Sequence, residues 1–362
     1  MYDLMVIGGG PAGTSAAITC ARGGKQVLLL ERGRFPRHKV CGEFVSAESF
    51  DLLAGLLAAP HASLLADAIR ITRARVFLDG RTLHAPVNPP AASISRLDLD
   101  AALWDSAVAS GVDARQQVTV QEVSGSEPFT LSTSAGKFEG RAVINASGRW
   151  SNLTQAPTNG QARVKWLGVK GHFAELSPPH SVDLYFFEGG YCGVQPVEMA
   201  ATHEERINAC AMVRADVAST LAEVFACDPA LRERSQQWRP LSDPVSTSPL
   251  VFRQLQPERD GILMAGDAAA FVDPFVGDGI SLALRSGSLA GECLMPFFAE
   301  RRSLPEAARS YCLAYEQRLA PVFRTSSKIR RMLSLPQIIR APILSLFEKT
   351  PALGHYLVRK TR

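Results

Sequence analysis

The first thirty-one residues constrain this 362-residue chain more than any other stretch. Tyr2-Asp3-Leu4-Met5-Val6-Ile7 is an apolar run of buried-strand type, and Gly8-Gly9-Gly10-Pro11-Ala12-Gly13 follows it directly. Thr14 to Arg22 is small and Ala-rich, as suits a helix packed closely on a sheet, and Gly24 ends it. Gln26-Val27-Leu28-Leu29-Leu30-Glu31 is a second buried strand that finishes in an acid. Strand, G-x-G-x-x-G turn, helix, strand and carboxylate in register make one complete βαβ unit of the dinucleotide-binding kind.

Each part of the unit has a physical task. Gly8 permits the tight turn, Gly10 lets a pyrophosphate approach the backbone, and Gly13 lets helix and strand pack closely. Phosphates then sit at the positive N-terminal end of the helix, which Pro11 and Ala12 open. Glu31 can accept the ribose hydroxyls of an adenosine and would repel a 2′-phosphate. These residues alone select FAD or NAD over NADP.

The length suggests two domains, or one with an insertion. Hydrophobic content of 46% and charged content of 20% describe an ordinary soluble globule, and a net charge of +4 gives no reason to expect nucleic acid. The seven cysteines are scattered and never form C-x-x-C, so reduced thiols are expected, with no disulfide framework and no metal site. The N-terminus runs straight into a strand without a basic leader, and no apolar run is long enough to span a bilayer, so a cytoplasmic location is expected.

After Glu31 comes a basic loop, Arg32-Gly33-Arg34-Phe35-Pro36-Arg37-His38-Lys39-Val40-Cys41-Gly42, and then a helix expected from about Ser46 to Leu57. The position of the loop makes Arg32, Arg37 and Lys39 candidates for phosphate or ribose contact. With the N-terminal unit, the P-R-x-K-x-C-G segment resembles the FAD-dependent oxidoreductases that include geranylgeranyl reductases and aromatic hydroxylases of the hydroxybenzoate hydroxylase type. The resemblance implies that Lys39, Cys41 and Gly42 lie by the flavin, with Cys41 a candidate for shaping the site or reacting there.

Residues 66 to 88 alternate apolar and polar side chains around Asp79-Gly80, a hairpin signal. Ser95 or Asp98 can cap an amphipathic helix running to about Ser110. Arg96 at its start matches an arginine of the resembled family, which implies flavin or phosphate contact. Short strands then lead to Ala142-Val143-Ile144-Asn145-Ala146-Ser147-Gly148. The resembled hydroxylases have Asp-Gly at this turn, tied to the flavin and to nicotinamide access. Here Gly148 keeps the geometry but Ser147 replaces the acid, which puts ordinary NADH or NADPH docking in question.

Residues 159 to 245 read as antiparallel strands, with a helical stretch from about Val217 to Gln237. In the resembled family such a sheet covers the substrate. Tyr185, Phe187 and Tyr191 are candidates for its pocket wall, as is Phe275, although strand alternation allows only some of them to face the flavin. His172 and His180 have no recognisable partner. The W-x-W-x-I-P motif of flavin-dependent halogenases is absent, which argues against halogenation.

A second signal runs from Gly261 to Ile280: a strand, then Gly266-Asp267, Pro274 and Gly277-x-Gly279-Ile280 at the start of a helix. Asp267 can accept ribityl or ribose hydroxyls, and the helix N-terminus suits negative charge on reduced flavin. This segment is similar to the Gly-Asp-Ala-Ala … Pro … Gly-x-Gly-Ile of the same family. Both motifs together imply FAD, and NAD at the first motif no longer fits.

The tail carries Arg324, Lys328, Arg330, Arg331, Arg340, Lys349, Arg359, Lys360 and Arg362 against only Glu348, with apolar residues interleaved. A solvated helix face is the first reading, and peripheral contact with anionic lipid is the second.

The expected fold is α/β: a Rossmann-like FAD-binding domain of the GR2 type over 1–65, 90–158 and 246–300. An antiparallel substrate domain covers 66–89 and 159–245, and C-terminal helices cover 301–362. The expected function is a monooxygenase that hydroxylates an apolar aromatic, polyketide or terpenoid molecule through a flavin C4a-peroxide. Electrons would come from NADPH, NADH or a separate flavin reductase. A geranylgeranyl reductase-like enzyme saturating isoprenoid C=C bonds is the alternative, and a flavin electron-transfer protein a further one.

Overall fold

The structure is a computed structural model that describes residues 1–149, 153, 165–198, 206–250, 254–333 and 335–349. The N-terminal unit folds as β1 (Tyr2–Ile7), α1 (Pro11–Arg22) and β2 (Val27–Glu31). Next come β3 (Phe44–Val45), α2 (Phe50–Leu56), α3 (Ser63–Ala66), the hairpin β4 (Ile69–Leu78) and β5 (Arg81–Ser93), and α4 (Arg96–Ala109). Strands β6 (Asp113–Gln116), β7 (Val120–Gly125), β8 (Phe129–Thr133) and β9 (Gly136–Asn145) follow. The middle of the chain gives β10 (Trp166–Ala174), β11 (Ser181–Phe187), β12 (Gly190–Pro196) and β13 (Arg206–Arg214). After them come α5 (Leu221–Ala226), α6 (Pro229–Ser235), β14 (Arg239–Pro240) and β15 (Val245–Thr247). The last part holds β16 (Glu258–Arg259), β17 (Ile262–Met264), α7 (Gly279–Phe298), α8 (Leu304–Arg318), α9 (Ala320–Leu333) and α10 (Gln337–Lys349).

Two sheets organise these elements. The first runs β16-β17-β9-β1-β2-β6, with β7 and β8 attached beside β9. Strands β17, β9, β1, β2 and β6 pair in parallel. Leu4, Met5, Leu28 and Leu29 are fully buried, as a parallel sheet covered on both faces requires. Helix α1 packs on α7, where the Ser15 hydroxyl donates to the Leu284 carbonyl at 2.8 Å. The two ends of the chain therefore build one domain.

The second sheet runs β14-β10-β13-β12-β11-β4-β5-β3, with β15 on β10. Its pairs are antiparallel except β11–β4, which is parallel. That departs from the expected all-antiparallel sheet: β4 joins from a distant part of the chain, where no short turn dictates direction. Phe44–Val45, expected in the first domain, pairs with β5 in the second sheet. The boundary expected at 158/159 falls outside the described residues.

Local chemistry explains the helix limits. The Ser95 hydroxyl accepts the Asp98 N–H at 3.1 Å and caps α4. The helix expected over 217–237 is broken in two because Asp228-Pro229 restarts it: Asp228 caps α6 and Pro229 takes its first turn. Over 46–57 the chain makes a 3₁₀ turn at Ala47–Ser49 and then α2.

Candidate cofactor and substrate site

A cavity of about 500 Å³ is lined by residues of both sheets. Every residue expected to hold the cofactor lines it except Gly13. Gly13 serves packing instead: a Cβ there would lie 1.8 Å from the Gly8 carbonyl oxygen. That contact is the close approach of helix to strand which the spacing demands.

Gly10 works differently. It precedes α1, whose N-terminus no side chain caps, so N–H groups stand ready for a ligand. A Cβ on Gly10 would meet nothing nearer than Lys39 Nζ at 3.7 Å and Arg96 Nη2 at 4.0 Å. The space in front of the helix is therefore an open cradle with two cations at its edge. Arg96 grips Asp100 through Nε and Nη2 at 2.8 and 2.7 Å. Lys39 is only loosely matched, with Nζ 3.8 Å from Asp100. Burial pushes Lys39 down to about 8, and Arg96 and Arg37 add to this against the pull of Asp100 and Glu31. A cation short of anions beside free N–H groups fits a pyrophosphate.

Glu31 lies at one end of the cavity and is more engaged than expected. Its Oε2 accepts the Gly9 N–H at 2.9 Å, while Oε1 accepts the Gly33 N–H at 2.7 Å and Arg37 Nη2 at 2.8 Å. Burial works against its charge, but Lys39, those N–H groups and Arg37 outweigh it and hold the carboxyl below its usual range. Arg37 thus secures Glu31 while lining the cavity. Val118 and Thr119 complete this end; nothing in their own sequence marks them, because only the β6–β7 connection brings them there.

At the other end Asp267 is 35% exposed in the cavity, with Arg149 Nε 3.5 Å away. The Arg149 guanidinium stacks over Phe271 at 4.3 Å. Gly277, at φ 78, turns the chain in the left-handed region into the α7 N-terminus. The Ser147-Gly148 turn is closed by Asn145, whose Oδ1 accepts the Ser147 N–H at 3.0 Å and hydroxyl at 2.6 Å.

Strand register divides the cofactor-facing side of the second sheet into two halves. Trp166, Met212, Tyr191, Leu184 and Phe186 form an apolar half with Leu250, Phe271 and Phe275. Tyr191 and Met212 line the cavity, and Phe275 packs edge-on to Tyr191 at 6.0 Å. Tyr185 and Phe187, expected at the pocket wall, point the other way into the cluster with Trp238. Alternation along β11 puts them there, and Tyr185 stacks on Phe77 at 4.3 Å.

The polar half was not anticipated as a site. Glu43, at φ 61, is fully buried. Its Oε1 accepts the Arg96 N–H at 2.8 Å and is also bonded by Lys170 Nζ, and its Oε2 lies 2.8 Å from His172 Nε2. Burial opposes the Glu43 charge, but Lys170 and His172 outweigh it and bring the carboxyl down to about 2. The signal available in sequence was Lys170-x-His172, two polar residues of one parity inside an apolar strand. Asn208, opposite His172 in the register, donates from Nδ2 to the Cys41 carbonyl at 3.0 Å. The Glu43 N–H donates to Cys41 Sγ at 3.3 Å, so the turn is held at both the Cys41 carbonyl and its sulfur.

A two-sheet architecture, an anion cradle at a helix start and acceptors at both ends fit one long dinucleotide, so fold and site define a flavoprotein oxidoreductase. The chain belongs to the FAD binding domain family, which it matches over residues 1–322. It is 25% identical to digeranylgeranylglycerophospholipid reductase 2 of Methanopyrus kandleri, covering 92% of this chain and 87% of that one. It is 22% identical to 1H-pyrrole-2-carbonyl-(peptidyl-carrier protein) brominase of Pseudoalteromonas luteoviolacea, covering 83% and 81%. The solved flavin-dependent brominase Bmp2 superposes with a TM-score of 0.78 at 21% identity, covering 99% of this chain and 93% of that one. The expected GR2-type fold is therefore the observed one, and the protein is an FAD-dependent oxidoreductase.

Proposed function

We propose that this protein is a monooxygenase acting on an apolar aromatic, polyketide or terpenoid molecule, with NADH, NADPH or a separate flavin reductase supplying electrons. The observation that carries this reading is the apolar half of the sheet face. Tyr191, Met212, Leu250 and Phe271 offer an apolar substrate a dry surface, as oxygen chemistry in competition with water requires. Bound FAD would supply the redox chemistry and the activation of oxygen. The protein's share is placement. The α1 N-terminus, Lys39 and Arg96 hold the pyrophosphate, Asp267 accepts hydroxyls, and the apolar half excludes water.

Proton supply at the apolar half supports oxygenation over saturation of a C=C bond. Saturation must deliver a proton to carbon, yet burial raises the Tyr191 phenol well above its ordinary value and pushes the Cys210 thiol to about 12. Both are poor acids there. Tyr191 can instead keep its proton and donate a hydrogen bond to a substrate oxygen. Cys41 favours the second reading, an isoprenoid reductase, because its thiol lines the cavity beside Arg96. The brominases share the fold, but this sequence lacks the W-x-W-x-I-P motif.

The test is oxygen consumption by the FAD-loaded protein with NADPH, with and without an alkylated phenol. Consumption that rises with the phenol while hydrogen peroxide release falls is expected. Consumption indifferent to every aromatic offered, with turnover of geranylgeraniol under nitrogen, would replace this reading with the reductase.

A further inference from the structure

Helices α9 and α10 have two distinct sides. The inner side of α9 reaches the cavity wall: the Ser326 hydroxyl donates to Asp273 Oδ2 at 3.3 Å, and Arg330 Nη1 lies 3.6 Å from Asp273 Oδ1. Asp273 directly follows Phe271 and Val272, which line the cavity. Helix α10 is tied to the other domain, where Arg340 Nε and Nη2 hold the Asp79 carboxylate at 2.8 and 2.6 Å. Arg81 Nη1 donates to the Ser345 hydroxyl at 2.8 Å. The two helices therefore form a strap from the cavity wall to the tip of the β4–β5 hairpin.

The outer side faces solvent. Arg324, Lys328 and Arg331 are exposed at spacings of four and three, which places them on one face of α9. Arg324 pairs with Glu316 at the start of that stripe. On α10, Ile338 is 88% exposed and Ile339 52% exposed, with Pro342 exposed beside them. Exposed cations on α9 and exposed isoleucines on the helix that follows it supply the two signals that hold a helix in the plane of a membrane surface: attraction to acidic headgroups and burial of apolar side chains at the acyl boundary. Among the described residues no helix is long and apolar enough to cross a bilayer, so the contact would be made from one side.

We propose that the α9–α10 strap docks the protein on an anionic lipid surface, with Lys328 and Arg331 at the headgroups and Ile338 and Ile339 at the acyl boundary. The strap that meets the lipid also holds the wall of the apolar cavity, which places a lipophilic substrate's source next to its site. This goes beyond the oxygenase reading and is read out without turnover.

Co-sedimentation of the yellow holoprotein with vesicles tests it. Vesicles of phosphatidylcholine mixed with phosphatidylglycerol should bind it, phosphatidylcholine alone should not, and high salt should release it. Lys328→Glu with Arg331→Glu should weaken binding by about tenfold or more, and Ile338→Ser with Ile339→Ser should also weaken it. Both variants should keep the wild-type flavin spectrum, which separates lost docking from lost folding. The proposal fails if wild type ignores anionic vesicles, if it binds both vesicle types alike, or if neither double variant changes binding. Capture of an acidic acyl-carrier protein through Lys328 and Arg331, without vesicle binding, would equally overturn it.

Discussion

Glu43, from the loop that follows the cofactor-binding unit, is bonded to Lys170, from the second sheet, in an ion pair buried on both sides. That one contact joins the two domains behind the Cys41-Gly42 turn, and His172 shares the carboxylate. The pair locks the cavity's polar half without lending it an exposed acid or base.

Glu43→Gln should leave Lys170 buried without an anion and destabilise the fold by about 3–5 kcal/mol. Adding Lys170→Met should recover part of that loss, whereas Lys170→Met alone should not be neutral. Urea denaturation of the three variants checks this. A pH series on the wild type supplies the sign. The folded pKa, about 2, lies below the unfolded carboxylate value. The stabilisation is therefore present above the unfolded pKa and lost as pH falls toward 2.

Gly10→Ala and Gly13→Ala should fail in different ways. Gly10→Ala has room for its methyl within the protein and should fold, but the methyl sits in the phosphate cradle, so it should be purified colourless. Gly13→Ala overlaps the Gly8 carbonyl and should not fold at all. Circular dichroism and flavin absorbance on the same samples distinguish the two. A yellow, stable Gly13→Ala would contradict the packing role.

FAD affinity should depend on pH through Lys39. Its pKa of about 8 before the cofactor binds should rise once a pyrophosphate sits beside it, so binding takes up a proton between the two values. Affinity should be flat below pH 8 and weaken by up to about tenfold per unit above it. Lys39→Met should bind about 10–100-fold more weakly at neutral pH, as expected for a lost hydrogen bond to a charged group. Flavin-fluorescence titration measures both effects.

Cys41→Ala should keep its FAD, because Asn208 still holds the turn through the Cys41 carbonyl, and the neighbouring Glu43 stays anchored by Lys170 and His172. Oxygenation should survive as well. Loss of turnover with the flavin in place would point to a proton-donating thiol and to the reductase.

How much was legible in the sequence follows from the range of the interactions. The βαβ unit and the Gly266–Ile280 segment were readable because phosphate and flavin binding impose fixed local spacing. Arg96 and Lys39 were placed by the family pattern, and both line the cavity. Glu43 was not readable, because its partners are 127 and 129 residues away. Which of the candidate aromatics face the cavity is not legible, and Tyr185 and Phe187 face away from it, since the parity of β11 is set by partners on either side and not by its own aromatic content. Val118 and Thr119 owe their place entirely to topology.

The most direct measurement is the mass of the product formed under isotopically labelled oxygen. FAD-loaded protein, NADPH and an alkylated phenol are incubated under ¹⁸O₂, and in parallel geranylgeraniol is offered in D₂O without oxygen. The monooxygenase account predicts one ¹⁸O atom in the phenolic product and no deuterium in the alcohol. Deuterium in a saturated prenyl chain, with no ¹⁸O in any aromatic, would contradict it and assign the site to C=C reduction.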